Sequence, residues 1–139
     1  MQTVSLSSFK GRKNIVLYFY PRDGTPGCTL EAIEFSDHES VFAEHDCVVL
    51  GVSPDECMVH AEFRDKHGLT VNLLSDVDTE VCRKYGVMQE KETEGVKRMC
   101  LVRSTFLIDK KGMIRHAHYG VSPRGHAAEV FDALRKLKS

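Results

Sequence analysis

The chain has 139 residues, 42% of them hydrophobic, enough for one compact domain over residues 1–139 and too few for two. Nineteen Lys and Arg against 20 Asp and Glu leave a net charge of −1, so no overall field draws the chain to nucleic acid or an anionic membrane. No apolar run approaches the roughly 20 residues of a membrane span, and no charged segment leads into an apolar one at the N-terminus, so a cytoplasmic protein is expected.

The first apolar run, Ile15 to Tyr20, reads as a buried strand. A loop, Pro21 to Gly27, leads to Cys28, and a helix follows, with Ala32, Phe35 and Phe42 spaced to share a face up to Glu44. Cys47 to Val52 is a second apolar strand. Ser53-Pro54-Asp55 signals a helix start, Val59 and Phe63 supply its core stripe, and His67-Gly68 ends it. Val71 to Leu74 reads as a short strand and Asp78 to Tyr85 as a short helix closed by Gly86. A polar, hairpin-like segment from Gln89 to Gly95 leads into one strand from Met99 to Ile108. The turn Asp109-Lys110-Lys111-Gly112 carries two solvated lysines and sends the chain back as a strand from Met113 to Tyr119. In the last helix, His126 to Leu137, one face holds Ala127, Val130, Phe131, Leu134 and Leu137. This order predicts an α/β domain: a mixed sheet flanked by helices, with early strands parallel and a late antiparallel hairpin.

Five cysteines at irregular spacing do not form a secreted disulfide framework, and no C-x-x-C is present. The cysteines and seven histidines lack zinc-ligand spacing, so no metal is expected. His116 and His118 share a strand face and read as a solvated or hydrogen-bonded pair. Cys28 is different. It sits where a strand turns into a helix, and the exposed N–H groups of a first helical turn favour an anion such as thiolate. Pro26 and Gly27 bring a fixed φ and a close backbone approach just ahead of the sulfur.

The spacing of Pro21, Thr25 and Cys28 resembles the active-site signature of the peroxiredoxins, thiol peroxidases that use no metal or cofactor. The string Tyr18-Phe19-Tyr20-Pro21 with Thr25-Pro26-Gly27-Cys28-Thr29 is similar to the bacterioferritin-comigratory, or PrxQ, branch. So are Leu73-Leu74-Ser75-Asp76 with Tyr85-Gly86-Val87, and Arg103-Ser104-Thr105-Phe106-Leu107-Ile108-Asp109. These blocks run in order from Val4 to the final helix. The resemblance implies a thioredoxin-like fold, without the N-terminal hairpin that relatives usually carry before the equivalent of Val4. It implies that Cys28 attacks a peroxide oxygen and becomes a sulfenic acid. Arg103 would stabilise thiolate and developing anion, Thr25 would offer its hydroxyl to peroxide, and Pro21 would shield the sulfur. Glu31, one turn beyond Cys28, would orient Arg103.

The partners implied are a peroxide and a thiol reductant, thioredoxin or another, with the chain a monomer or weak dimer. The reductive half departs from the relatives. Many carry a resolving cysteine five residues after the peroxidatic one, where this chain has Ile33, or in the second helix at the position of Arg64. Cys57 has the best geometric case, because it follows the second strand on the sheet edge where Cys28 follows the first. Cys82 and Cys100 are further candidates, Cys47 reads as buried and inert, and an external thiol acting alone is a full alternative. A non-enzymatic redox sensor and a thioredoxin-like binding or holdase domain are the competing readings.

Overall fold

The computed structural model describes residues 6–137. A single 3-10 turn, Leu6–Phe9, precedes β1 (Asn14–Phe19). There follow α1 (Pro26–Glu44), β2 (Cys47–Ser53), α2 (Cys57–His67), β3 (Asn72–Ser75) and α3 (Glu80–Lys84). The chain closes with β4 (Met88–Thr93), β5 (Val96–Leu101), β6 (Ser104–Ile108), β7 (Ile114–Tyr119) and α4 (His126–Arg135). Five strands form the central sheet in the order β3-β2-β1-β6-β7, and β4 and β5 pair separately. β1, β2 and β3 are parallel, while β6 and β7 run antiparallel, as the element order predicts. The strand that the resemblance places at Val4, and any hairpin before it, lies outside the described residues.

β1 shows why its sequence is an unbroken apolar run: both faces of the sheet are covered. Val16, Tyr18 and Tyr20 point to a cluster with Phe35 and Phe42 of α1 and Ala127, Val130 and Leu134 of α4. Ile15, Leu17 and Phe19 point the other way, to Leu50, Val52, Phe106, Cys82 and Val87. Each fully buried side chain of this size contributes roughly 1.5–3 kcal/mol. Tyr18 stacks on Phe35 at 4.6 Å between ring centroids. Its ring lies across β2 at Gly51, where a Cβ would come within 2.7 Å of Tyr18 Oη. Glycine at 51 is therefore a condition for placing Tyr18.

Several expectations need correction. The segment from Met99 to Ile108 is two strands. Val102 N–H donates to the Val87 carbonyl at 2.7 Å, and the Arg103 carbonyl accepts from Gly120 and Val121. The chain thus leaves the β4–β5 ribbon and joins the central sheet at Arg103. Cys100, on β5 before this break, is half-buried, opposite Gln89. In α2, Val59 is 40% exposed, and His60 takes the inward position beside Phe63. That helix begins at Cys57 rather than at Ser53 to Asp55, and ends at Gly68 in the left-handed conformation. Lys110 of the β6–β7 turn is paired with Asp46 at 3.0 Å, and Lys111 is exposed.

Candidate active site

β1 and β6 deliver the site together. They pair antiparallel with Phe19 opposite Ser104, so Tyr20, one residue on, and Arg103, one residue before, reach the same sheet edge. There β1 gives way to the loop that begins α1. Thr25 is the residue before the helix, in an extended conformation (φ −76°, ψ 151°), and its side chain caps nothing. The first-turn N–H groups of Gly27 and Cys28 consequently have no partner within the helix.

Cys28 is buried, at 1% exposure. Arg103 Nη2 donates to its Sγ at 3.3 Å, and Nη1 donates to Glu31 Oε1 at 2.7 Å. One guanidinium therefore bridges a thiol and a carboxylate one helical turn apart. Glu31 is buried, and its Oε2 has no hydrogen-bond partner among the described residues. Burial pushes the Glu31 carboxyl up to about 7, against the opposing pull of the Arg103 charge. Burial also works against the charge of Arg103, but Glu31 and Cys28 outweigh it and hold the guanidinium above its ordinary value. Gly27 makes the approach possible: a Cβ there would stand 3.1 Å from Nη2 and 3.5 Å from Pro123 Cγ. Pro123 joins this wall from the β7–α4 connection, and no motif in the sequence signals it.

Of the residues singled out from sequence, Cys28, Arg103 and Glu31 come together. Thr25 stands at the mouth of the helix, its hydroxyl donating to the Arg22 carbonyl at 3.1 Å, and Pro21 is exposed at the start of the loop. The other cysteines differ sharply. Cys47 and Cys82 are buried. Burial raises the Cys47 thiol to about 12; burial, then the Asp76 carboxylate, raises that of Cys82. Cys57 is exposed, as the first residue of α2. It lines an apolar cleft of about 920 Å³ with Leu17, Val52, Leu74, Val77 and Val81. His116 and His118 stack at 5.9 Å between centroids on exposed β7. The group that sequence reading missed lies behind the loop: the buried Tyr20, Asp23, Ser53 and His60, with the half-buried Asp55.

The family model described as "AhpC/TSA family" matches residues 1–117. This chain belongs to the AhpC/TSA family. Among its curated relatives, Peroxiredoxin Bcp of Bacillus subtilis (strain 168) is 44% identical over 98% of this chain and 86% of its own length. A putative peroxiredoxin bcp of Coxiella burnetii is 45% identical over 96% of this chain and 87% of its own. The Xanthomonas campestris bacterioferritin comigratory protein, solved as trapped intermediate and ligand complexes that bear on its alkyl peroxide reduction, superposes with a TM-score of 0.92. It shares 36% identity over 95% of this chain and 83% of its own. With these neighbours the mixed sheet and flanking helices are a thioredoxin-like fold, and the AhpC/TSA domain has its cysteine at the first turn of α1.

Proposed function

We propose that this AhpC/TSA-family chain is a thiol-dependent peroxidase acting on hydrogen peroxide and organic hydroperoxides. The observation that carries the reading is the contact of Arg103 with Cys28 at 3.3 Å inside the first turn of α1. The Cys28 thiolate attacks the distal peroxide oxygen, forming the S–O bond as the O–O bond breaks. The electron pair leaves on the proximal oxygen, which takes a proton and departs as water or alcohol. Arg103 and the free N–H groups of the first turn stabilise that developing negative charge. Thr25 turns its hydroxyl from the Arg22 carbonyl to the bound peroxide, and Pro21 closes the loop side against bulk water. Glu31 holds the guanidinium in place through its other nitrogen.

The sulfenic acid is returned to thiol by two reducing equivalents. A first thiol forms a disulfide with Cys28 and releases water, and a second thiol displaces Cys28. Cys57 is the internal candidate for the first thiol, because it alone among the other cysteines is exposed; thioredoxin is the expected external reductant. We place the protein in the cytoplasm, as a monomer or weak dimer, and among the described residues no helix is long and apolar enough to cross a membrane.

The test is a thioredoxin-coupled peroxide assay on the wild type and on Cys28→Ser. Multiple turnovers by the wild type and none by a folded Cys28→Ser protein are expected. Substantial turnover by that variant would overturn the assignment, and a single oxidation without turnover would make the chain a redox sensor instead.

A further inference from the structure

The loop that carries Pro21 and Thr25 is not held by either of them. It is held by the residue between them. Asp23 N–H donates to Asp55 Oδ2 at 2.7 Å, and the Tyr20 hydroxyl donates to Asp23 Oδ1 at 2.6 Å. His60 Nδ1 meets Asp23 Oδ2 at 2.5 Å, and His60 Nε2 lies 3.0 Å from the Leu74 carbonyl. Ser53 Oγ donates to Asp55 Oδ2 at 2.7 Å, which fixes the second carboxylate in turn. Asp23, Ser53 and His60 are all buried. A carboxylate and a carbonyl both accept, so each ring nitrogen of His60 faces an acceptor and the ring is held at both ends. A hydrogen bond to a carboxylate, shielded from water, holds its geometry far better than a surface pair.

Gly24 follows Asp23 with φ 82°, so the loop reverses direction at once and has little stiffness of its own. Thr25 is two residues from the anchor, and its position follows that of Asp23. We propose that His60 and Asp23 are a positioning pair for the peroxidase reaction read above: by clamping residue 23, His60 fixes the Thr25 hydroxyl and Pro21 where peroxide must lie against Cys28. His60 acts only through Asp23 and does not touch the sulfur, so the thiolate keeps its own partner in Arg103. The polar atoms of the cluster satisfy one another, which is the arrangement of a clamp. The anchor comes from α2, whose first residue is Cys57. The peroxide loop and the segment bearing the exposed cysteine are thereby mechanically joined.

The test uses the two amides that each keep one half of the imidazole. The side-chain nitrogen of asparagine overlays Nδ1 and can still donate to Asp23; that of glutamine overlays Nε2 and can donate only to the Leu74 carbonyl. Single-turnover oxidation of Cys28 by hydrogen peroxide and alkylation of Cys28 by iodoacetamide are measured for each. Alkylation needs the thiolate but no peroxide cradle. His60→Gln should slow oxidation about tenfold or more, the scale on which small misplacements of reacting groups act. His60→Asn should recover the rate to within about threefold, because the bond to Asp23 is kept. Alkylation should be unchanged in both. Tyr20→Phe, which removes the other donor to Asp23 but keeps the ring, should slow oxidation severalfold and serves if a His60 variant does not fold.

Oxidation at the wild-type rate in His60→Gln, equal slowing in both amides, or alkylation that slows in step with oxidation would each overturn the pair's role. A wild-type protein that is alkylated at Cys28 but not oxidised there by peroxide would instead defeat the peroxidase reading, and the pair's role with it.

Discussion

The missing side chain of Gly27 is the space that the Arg103 guanidinium occupies, with 3.1 Å between Nη2 and where a Cβ would stand. Backbone strain plays no part, since the φ of Gly27 is not in the left-handed region. Gly27→Ala should therefore leave stability unchanged or raise it by up to about 1 kcal/mol through helix propensity. The guanidinium must shift by a few tenths of an ångström, and peroxide oxidation of Cys28 should slow about tenfold. Stopped-flow oxidation rates beside urea denaturation check this. An alanine variant as fast as the wild type would show that the approach is not tight enough to matter.

Arg103→Met removes both the donor to Cys28 and the counter-charge to Glu31. Loss of one preorganised donor to a developing anion is typically worth about 10²–10³ in rate, and peroxide consumption should fall on that scale. Arg103→Lys keeps a charge but cannot bridge both partners from one rigid fork, so it should recover only part of the loss. Second-order rate constants for hydrogen peroxide with the three proteins decide it.

Glu31 predicts a pH dependence of stability. Its carboxyl is raised from 4.5 to about 7 by burial, so between those values the folded state holds the proton more tightly than the unfolded state. The stabilisation is complete below about 4.5 and is lost as pH rises through about 7. Converted by linkage, this amounts to at most about 3 kcal/mol. Glu31→Gln cannot ionise, so the difference in unfolding free energy, variant minus wild type, should grow from pH 4.5 to 7.5 and then level off. Urea midpoints at half-unit pH steps measure it, and a flat difference would contradict the raised carboxyl.

Cys57 and Cys28 stand on one sheet edge, yet Cys28 is enclosed and Cys57 is exposed. Because Cys28 is enclosed, the two Cα atoms are expected to lie beyond the roughly 7 Å that direct bonding allows, and a disulfide between them to need the first turn of α1 to open. Peptide maps without reductant after one equivalent of peroxide should contain a Cys28–Cys57 pair. A link to Cys82 or Cys100 would reassign the resolving role, and Cys28 found only as sulfenic acid or mixed disulfide would make an external thiol the sole reductant.

The sheet, its parallel half and its antiparallel half were legible because β1 and β2 are short apolar runs and the turn at Asp109 to Gly112 separates β6 from β7. Cys28 was legible because its helix-start position is local in sequence. What was hidden is set by distant partners. Val59 reads as core and His60 as surface on hydropathy alone. His60 turns inward because a carboxylate 37 residues earlier and a carbonyl 14 residues later receive both its nitrogens. The break before β6 was hidden for the same reason. Val102 and Arg103 have ordinary strand chemistry, and only their bonds to Val87, Gly120 and Val121 show that the run changes sheets. The charge at Arg103 inside an apolar stretch was the one local sign of it.

If Cys28 is the peroxidatic residue proposed above, its 1% exposure sets different conditions for its oxidant and its reductant. Hydrogen peroxide is small enough to need only a slight opening. A protein thiol cannot reach the sulfur until the first turn of α1 opens. Between those events the sulfenic acid waits inside with the next peroxide molecule as its only small visitor, and a second oxidation to sulfinic acid ends the cycle. On that reading the helix turn would act as a timer, the peroxide concentration at which the protein silences itself being set by how often that turn opens.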